Sequence, residues 1–166
     1  MSEISDSGQD PMATSLLFDV FALNQSVGRL LGIVMADGPL TPAAYALYSA
    51  IFELEAASPT AIADRLGMPL TTLVDRLREV EARGHARRLP NPADRRSHLV
   101  VLSAAGLAAH AAANRLFEIA HQAVIQALPE PESDVRRDLA IIRTAIETAL
   151  RPALAISLRP SADRAR

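Results

Sequence analysis

One short segment constrains the fold of this chain more than any other, because it predicts β-structure in a sequence rich in alanine and leucine. It runs from Arg87 to Gly106 and reads RRLPNPADRRSHLVVLSAAG. Two strand-like runs, Ala86 to Leu89 and His98 to Leu102, flank the loop from Pro90 to Ser97. The second run is rich in β-branched and aliphatic residues. The segment therefore predicts a two-stranded hairpin whose tip carries two adjacent arginines.

Two short helices are predicted immediately before this hairpin. Ser58-Pro59 has the residues of a helix cap and first turn, and Gly67 fits a C-terminal cap. The next helix, LTTLVDRLREVEAR, ends at Gly84. Its apolar face consists of Leu73, Leu77 and Val80. A helix-turn-helix followed directly by a two-stranded hairpin is a winged helix, and this combination is more specific than either part.

Further helices are predicted on both sides of this winged unit. A first helix is predicted within 11–37, and Thr41-Pro42 opens the next one. Ser103 caps a long helix after the hairpin, and Arg151-Pro152 ends or kinks the last helix. One winged helix cannot bury the apolar faces of the first helix and the last two, so we expect two chains to pair. The alternative is packing within one chain. The positions expected at the dimer contact are Leu16, Val20, Leu23, Leu139, Ile142 and Ile146.

The local distribution of charge indicates nucleic-acid binding, although the net charge of the chain does not. The formal net charge is −2, and all 17 basic residues are arginine. From Pro59 to Ser103 there are eight arginines against five acidic residues, and the excess is sharpest from Arg83 to His98. A local basic stripe is typical of a protein that binds a duplex. The alternative is a solvated surface that happens to be rich in arginine.

Several function classes are disfavoured by what the sequence lacks. Without cysteine there is no disulfide framework, cysteine nucleophile or zinc ribbon. No catalytic motif is recognisable and the four histidines are dispersed, so we expect no enzyme, no metal site and no cofactor. No apolar run is expected to reach the roughly 18 residues of a membrane span. Because the start, MSEISDSGQD, is acidic and polar, it is not a signal peptide, and a cytoplasmic protein is expected.

The predicted DNA contacts form three groups. The exposed start of the second helix of the pair would enter the major groove, where a side chain can read base edges. The residues expected there are Leu70, Thr71, Thr72, Asp75 and Arg76. The hairpin loop would insert Arg95 or Arg96 into the neighbouring minor groove, with Asp94 bridging an arginine of the same wing. Contacts to the DNA backbone are expected from Thr60, Arg78, Arg83 and Arg87.

Each of these contacts has a structural alternative. Thr71 and Thr72 could cap the helix, with or without touching DNA. Asp75 could accept a hydrogen bond from cytosine or only orient Arg76 by its charge. The two arginines further along the helix could pair with Glu79 and Glu81, and the wing could be no more than an exposed charged loop.

The predicted regions follow from these elements. The fold class is mainly α with a small β-hairpin: a winged helix-turn-helix with terminal dimerisation helices. The regions are a disordered tail (1–10), an N-terminal dimerisation helix (11–37), a winged helix-turn-helix DNA-binding domain (38–103), C-terminal dimerisation helices (104–158) and a flexible tail (159–166).

The segment from Leu40 to Gly106 resembles the MarR (multiple antibiotic resistance regulator) family of transcription factors. The motifs that carry the resemblance are Leu40-Thr41, ADRLG, EARGHARR, the aspartate-arginine-arginine at 94–96 and the leucine-serine-x-x-glycine after it. Two positions depart from the family pattern. Pro69 stands where many members have a serine cap, and Arg76 stands where many have an apolar residue. The absence of cysteine also excludes the oxidation-sensing mode known in part of the family.

The resemblance implies a homodimer that binds a palindromic operator, usually as a repressor, and that a small aromatic or anionic effector releases. It places the recognition helix at Leu70 to Arg83 and the wing at Leu89 to His98. A ligand cleft is implied near the first, second and fifth helices, and we consider Tyr45, Tyr48 and His110 for it. Core packing is the favoured alternative for these side chains. The rival function is a winged-helix module that binds another protein, without sequence-specific DNA binding.

Overall fold

The computed structural model of the chain describes residues 15–94 and 96–157, with side chains as far as residue 150. The elements within these ranges are α1 (Leu16–Val34), α2 (Pro42–Glu53), α3 (Pro59–Leu66), α4 (Leu70–Ala82), β1 (Ala86–Pro90), β2 (His98–Leu102), α5 (Ala104–Ala127) and α6 (Glu132–Ser157). This order confirms the predicted fold class, mainly α with a winged helix-turn-helix. The predicted tails at 1–10 and 159–166 lie outside the described residues.

Side-chain caps fix where three of the helices begin. Thr41 Oγ1 accepts a hydrogen bond from the Ala44 N–H, Ser58 Oγ from that of Ala61, and Ser103 Oγ from that of Gly106. Each bond satisfies an N–H that has no partner inside its helix, which is worth about 1 kcal/mol. Gly67 ends α3 in the left-handed conformation, with φ of +63°. The caps predicted from the sequence at these four positions are confirmed.

The core lies where α2, α3 and α4 meet the hairpin. Its completely buried large side chains are Tyr48, Ile51, Ile62, Leu73, Leu77 and Val100. Each such side chain stabilises the fold by roughly 1.5–3 kcal/mol through removal of apolar surface from water. The helix α4 is thus attached to the rest of the unit through a continuous apolar face.

The wing is an antiparallel hairpin whose second strand is also bridged to the segment between α2 and α3. In its register Ala86 pairs with Leu102 and Pro90 pairs with His98. Ala57, between α2 and α3, forms a bridge with Val100 through two backbone hydrogen bonds of 2.8 and 3.3 Å. Because β2 is held on both sides at this point, the base of the wing cannot swing independently of the helices.

The chain divides into two compact units, Met1–His121 and Gln122–Arg166. The first contains α1 to α4, the wing and most of α5, and the second contains the end of α5 and α6. Within the second unit α6 runs past Pro152 to Ser157, so the expectation that Arg151-Pro152 could end this helix is wrong. The boundaries predicted at 38–103 and 104–158 concern function and stay predictions.

The helix α1 corrects the expectation that no apolar run reaches the length of a membrane span. Its 19 residues are long and apolar enough to cross a membrane by length and composition, although Asp19 and Arg29 interrupt the apolar run. One such helix is weak evidence for a span, because core helices and signal sequences meet the same requirement. In this structure α1 contacts α2 near its end, where Leu31 packs against the core.

Candidate nucleic-acid interface

The first turn of α4 presents free side chains to solvent. Leu70 is 45% exposed, and Thr71 and Thr72 are also exposed. Pro69 occupies the N-cap position and provides no side-chain hydrogen bond. Neither threonine hydroxyl has a partner among the described residues, so the alternative in which they cap the helix is not realised. Two hydroxyls are therefore available at the end of α4 that was predicted to meet base edges.

Asp75, the first acidic residue of this helix, is paired with a different arginine from the one expected. Asp75 accepts a hydrogen bond of 2.7 Å from Arg78, one helical turn further on, and both side chains are about 70% exposed. Arg78 therefore pairs neither with Glu79 nor with Glu81. Because an exposed pair of this kind is worth less than about 1 kcal/mol, a phosphate or a base can replace either partner at little cost.

The remaining arginines near α4 differ in their partners. Glu81 binds Arg88 of β1 through two hydrogen bonds, of 2.6 and 3.3 Å, and this contact raises the pKa of the guanidinium. No carboxylate lies within ion-pair distance of Arg76, Arg83 or Arg87 in the part of the chain that the structure describes. Among these three, Arg76 is half-buried, whereas Arg83 and Arg87 are exposed.

The loop at the tip of the wing is held by its own side chains. Asn91 Oδ1 accepts from the Ala93 N–H at 3.0 Å, and Asn91 Nδ2 donates to Ser97 Oγ at 2.7 Å. Asp94 Oδ1 accepts from the backbone N–H of Arg96 at 2.9 Å. Asp94 thus holds the loop, as predicted, but through a backbone amide rather than through the Arg96 guanidinium.

Of the two wing arginines, the structure describes only Arg96. The Arg96 side chain is exposed, and no carboxylate of the described residues pairs with it. Arg95 lies outside the described residues, and so does any bridge from Asp94 to it. Thr60, expected to contact the DNA backbone, is exposed in the first turn of α3 just after the Ser58 cap. The wing therefore presents at least one free guanidinium at the end of a braced loop.

The three side chains considered for a ligand cleft do not share one cavity. The Tyr45 ring stacks on His110 with centroids 5.4 Å apart, and its hydroxyl donates to Asn114 Oδ1 at 2.6 Å. Tyr48 lies apart from this pair, with its hydroxyl 2.9 Å from His85 Nδ1. All three are buried, in agreement with the core-packing alternative. Of the three, only Tyr45 borders the cavity of about 290 Å³ between Leu31 and Phe117.

His110 shows what this packing does to a titratable ring. Phe52 also packs against it, and its Nε2 atom lies 3.1 Å from Ser49 Oγ. Burial lowers the pKa of His110, and the negative charge of Glu53 partly offsets the effect. In the described ranges no three histidine, aspartate or glutamate side chains converge as metal ligands would. Burial among these rings therefore favours the neutral form of His110.

The apolar positions predicted for dimerisation lie on surfaces of their own units. In α1, Leu16 and Leu23 are about half exposed and Val20 is half-buried. Phe18 and Phe21, at 60% and 59%, are exposed as well, although they do not lie on the helix face that carries Leu16, Val20 and Leu23. In α6, Leu139 is 46% exposed, whereas Ile142 and Ile146 are half-buried.

The exposed start of α4 and the braced basic wing belong to a winged helix-turn-helix, and solved structures show which proteins share this fold. CouR, a transcriptional repressor bound to a 23-mer DNA duplex, is 26% identical to the chain, with a TM-score of 0.68 over 88% of this chain and 99% of that one. Apo MarR from E. coli is 24% identical, with a TM-score of 0.63 over 80% and 97%. MosR from M. tuberculosis in complex with DNA is 22% identical, with a TM-score of 0.71 over 82% and 98%.

These structures are regulators of the MarR family, and the chain has their fold. The resemblance drawn from the sequence motifs is thereby confirmed at the level of the winged helix. Neither a family model nor a curated protein matches the chain.

Proposed function

We propose that the chain is a homodimeric DNA-binding transcriptional regulator that represses from a palindromic operator. The observation that carries the proposal is that one compact unit has two surfaces with unpartnered polar side chains. The start of α4 presents unpartnered threonine hydroxyls, and the braced wing loop presents Arg96. CouR and MosR, which share the fold, are DNA-bound in their solved structures.

In this proposal α4 enters the major groove, and the wing arginines Arg95 and Arg96 enter the adjacent minor groove. The residues of α4 that face base edges are Leu70, Thr71, Thr72, Asp75 and Arg76. Thr60, Arg78, Arg83 and Arg87 contact the DNA backbone. The loop loses little entropy on docking, because its hydrogen bonds already fix its conformation in the free protein.

Two copies are needed for this mode of binding. Leu16, Val20 and Leu23 of α1 and Leu139, Ile142 and Ile146 of α6 form the proposed contact between copies. Large apolar side chains exposed along a helix are typical of a surface that a partner covers. The N-terminal and C-terminal helices are thus the dimerisation regions, and the winged unit at 38–103 is the DNA-binding region.

Release by a small aromatic or anionic effector is the regulatory part of the proposal. The cavity of about 290 Å³ beside Tyr45 and Phe117 has a largely apolar wall with Glu53 and Arg65 at 2.6 Å from each other on its lining. A cavity with an aromatic wall suits a small aromatic effector, and an anionic one would have to take the place of Glu53 beside Arg65. Regulation of transcription also places the protein in the cytoplasm, without catalysis and without a membrane.

The experiment that tests DNA binding is a salt titration on selected duplexes. Genomic fragments that the protein retains are sequenced, and binding to one of them is measured by fluorescence anisotropy between 50 and 200 mM salt. Because six to ten phosphate contacts release counterions, affinity should fall by roughly 10³–10⁵ over this range. Two protected half-sites roughly 34 Å apart are expected for a two-fold dimer. Affinity that does not change with salt would favour the protein-interaction module instead.

A further inference from the structure

A groove with a cavity volume of about 220 Å³ separates the start of α2 from the second half of α4. Its floor is apolar and consists of Ala44, Leu47, Tyr48 and Val80. The side chains at its edge are polar or charged: Thr41, Arg76, Glu79 and Arg83. This groove is distinct from the cavity beside Tyr45, with which it shares no lining residue.

The two arginines of the groove lack counterions. In α3 and α4 the other arginines are paired, Arg65 with Glu53 and Arg78 with Asp75. For Arg76 and Arg83, no carboxylate of the described residues lies within 4 Å. Arg76 is half-buried as well, and a cation that loses water without gaining an anion is held at a cost. An anion from outside the chain would complete this site.

The direction of both side chains is set by the helix. Arg76 and Arg83 are seven residues apart, which is two turns, so they lie on the same side of α4 roughly 10 Å apart along its axis. They face the groove with α2, and Arg83 is close enough to lower the pKa of Tyr48, which burial raises. Asp75 and Arg78 lie on a different side, in solvent.

We propose that the groove between α2 and α4 binds a phosphate of the DNA backbone, with Arg76 and Arg83 as the donors. The inference rests on the proposed function, and it changes the role of Arg76 from reading a base to positioning α4. A helix that lies in the major groove has its flanks against the phosphates. The start of α2 adds the positive end of a helix dipole to the same place.

Glu79 is the one acidic side chain on the groove, and it opposes a phosphate. It is exposed and makes no ion pair with either arginine. Removal of its charge should therefore tighten binding of DNA, because only the repulsion is lost. Loss of the Glu79 charge should raise the affinity for DNA, whereas loss of the Arg76 charge should lower it. On a surface that DNA does not approach, neither change would alter the affinity.

Arg76→Gln is the variant that tests the proposal, on a duplex selected from genomic DNA and on a random duplex of equal length. Affinity should fall about tenfold on both, with the ratio between them unchanged, since a phosphate contact carries no sequence information. The slope of log affinity against log salt should drop by roughly 0.9 per lost phosphate contact. Arg76→Lys should keep most of the slope, and Glu79→Gln should bind both duplexes more tightly.

Arg137→Gln on α6 is the matched control, because it removes the same charge outside the winged unit; circular dichroism checks the fold of every variant. A lower ratio between selected and random duplex in Arg76→Gln would overturn the proposal in favour of base reading. Unchanged affinity and slope would also overturn it, while DNA binding by the wild type would leave the proposed function intact. If inorganic pyrophosphate binds the wild type and Arg76→Gln keeps full duplex affinity, the site takes a free anion and the proposal is wrong. Absence of duplex binding by the wild type would overturn both.

Discussion

Among single residues, His110 couples a protonation equilibrium to core packing. Burial lowers its pKa, so the unfolded chain binds a proton more readily than the folded one. The stability that depends on the neutral ring is present above the unfolded pKa of about 6.5 and is lost as the pH falls below it. His110→Phe keeps a ring against Tyr45 and Phe52 but cannot be protonated.

We therefore expect the free energy of unfolding of the wild type, measured in urea, to be lower at pH 5.5 than at pH 7.5. In His110→Phe this difference should be smaller. His98→Phe, at an exposed position of β2, is the control and should leave the difference as it is. An equal pH dependence in wild type and His110→Phe would show that other groups cause it.

The exposed arginine of the wing allows a test in which binding changes and folding does not. In Arg96→Ala the backbone N–H still donates to Asp94, so the loop should keep its conformation. We expect affinity for the selected duplex to fall about tenfold or more, as when a minor-groove arginine is lost, with thermal stability unchanged within about 0.5 kcal/mol. Anisotropy and a melting curve measure the two quantities; a lower melting temperature would indicate a structural role.

Secondary-structure elements depend on a few close contacts, and the sharpest is at the start of α5. Gly106 is buried, and a Cβ at this position would overlap the carbonyl oxygen of His85. That carbonyl also accepts from the Ser103 N–H at 2.9 Å, so it cannot move freely. Gly106→Ala should therefore destabilise the protein by roughly 1–3 kcal/mol in urea unfolding.

A matched substitution separates this contact from a general effect of adding an atom. Ala104→Ser also adds one heavy atom in the first turn of α5, but at an exposed position, and it should change stability by less than about 0.5 kcal/mol. If Gly106→Ala were as stable as the wild type, the start of α5 would have to move away from His85.

Local signals explain which elements the sequence predicted. Thr41, Ser58 and Ser103 act on amides three residues away, so a reader of the sequence can place these helix starts without knowing the fold. The bridge between Ala57 and Val100 joins residues far apart in sequence, and no local pattern contains it. The candidate site differs in this respect. Asp75 and Arg78 are three residues apart and therefore neighbours on the helix surface, whereas Arg76, the next residue, points to another side; the expected pairing with Arg76 did not take this spacing into account.

The tertiary structure also determines the burial and the hydrogen-bond partners of side chains whose positions the sequence gives. Arg76 stands among the exposed residues of α4 in the sequence, yet it is half-buried against α2. Tyr45 and Tyr48 are three residues apart, but their hydroxyls bind partners on different elements, Asn114 of α5 and His85 before β1. Sequence spacing gives the face of a helix, whereas the partner on that face comes only from the tertiary structure.

On the scale of the whole molecule, the proposed function requires a dimer, and exposed apolar side chains on α6 provide its test. Leu139 is 46% exposed in the single chain, so a charge at this position should be tolerated by an isolated protomer. If the face is covered by a second copy, the same charge would be buried without a partner, at a cost of several kcal/mol. Leu139→Asp should therefore give folded monomers where the wild type gives dimers, as measured by sedimentation equilibrium.

Ser133→Asp is the control for this experiment, because it adds the same charge at the exposed start of α6, where the helix dipole favours it. Sedimentation at several protein concentrations should show an unchanged dimer for this variant and a lower association constant for Leu139→Asp. Loss of dimers should also reduce DNA affinity, since each protomer then holds only one half-site. A stable dimer of Leu139→Asp would place the contact between copies elsewhere, whereas a monomeric wild type that still protects two half-sites would separate dimerisation from DNA recognition.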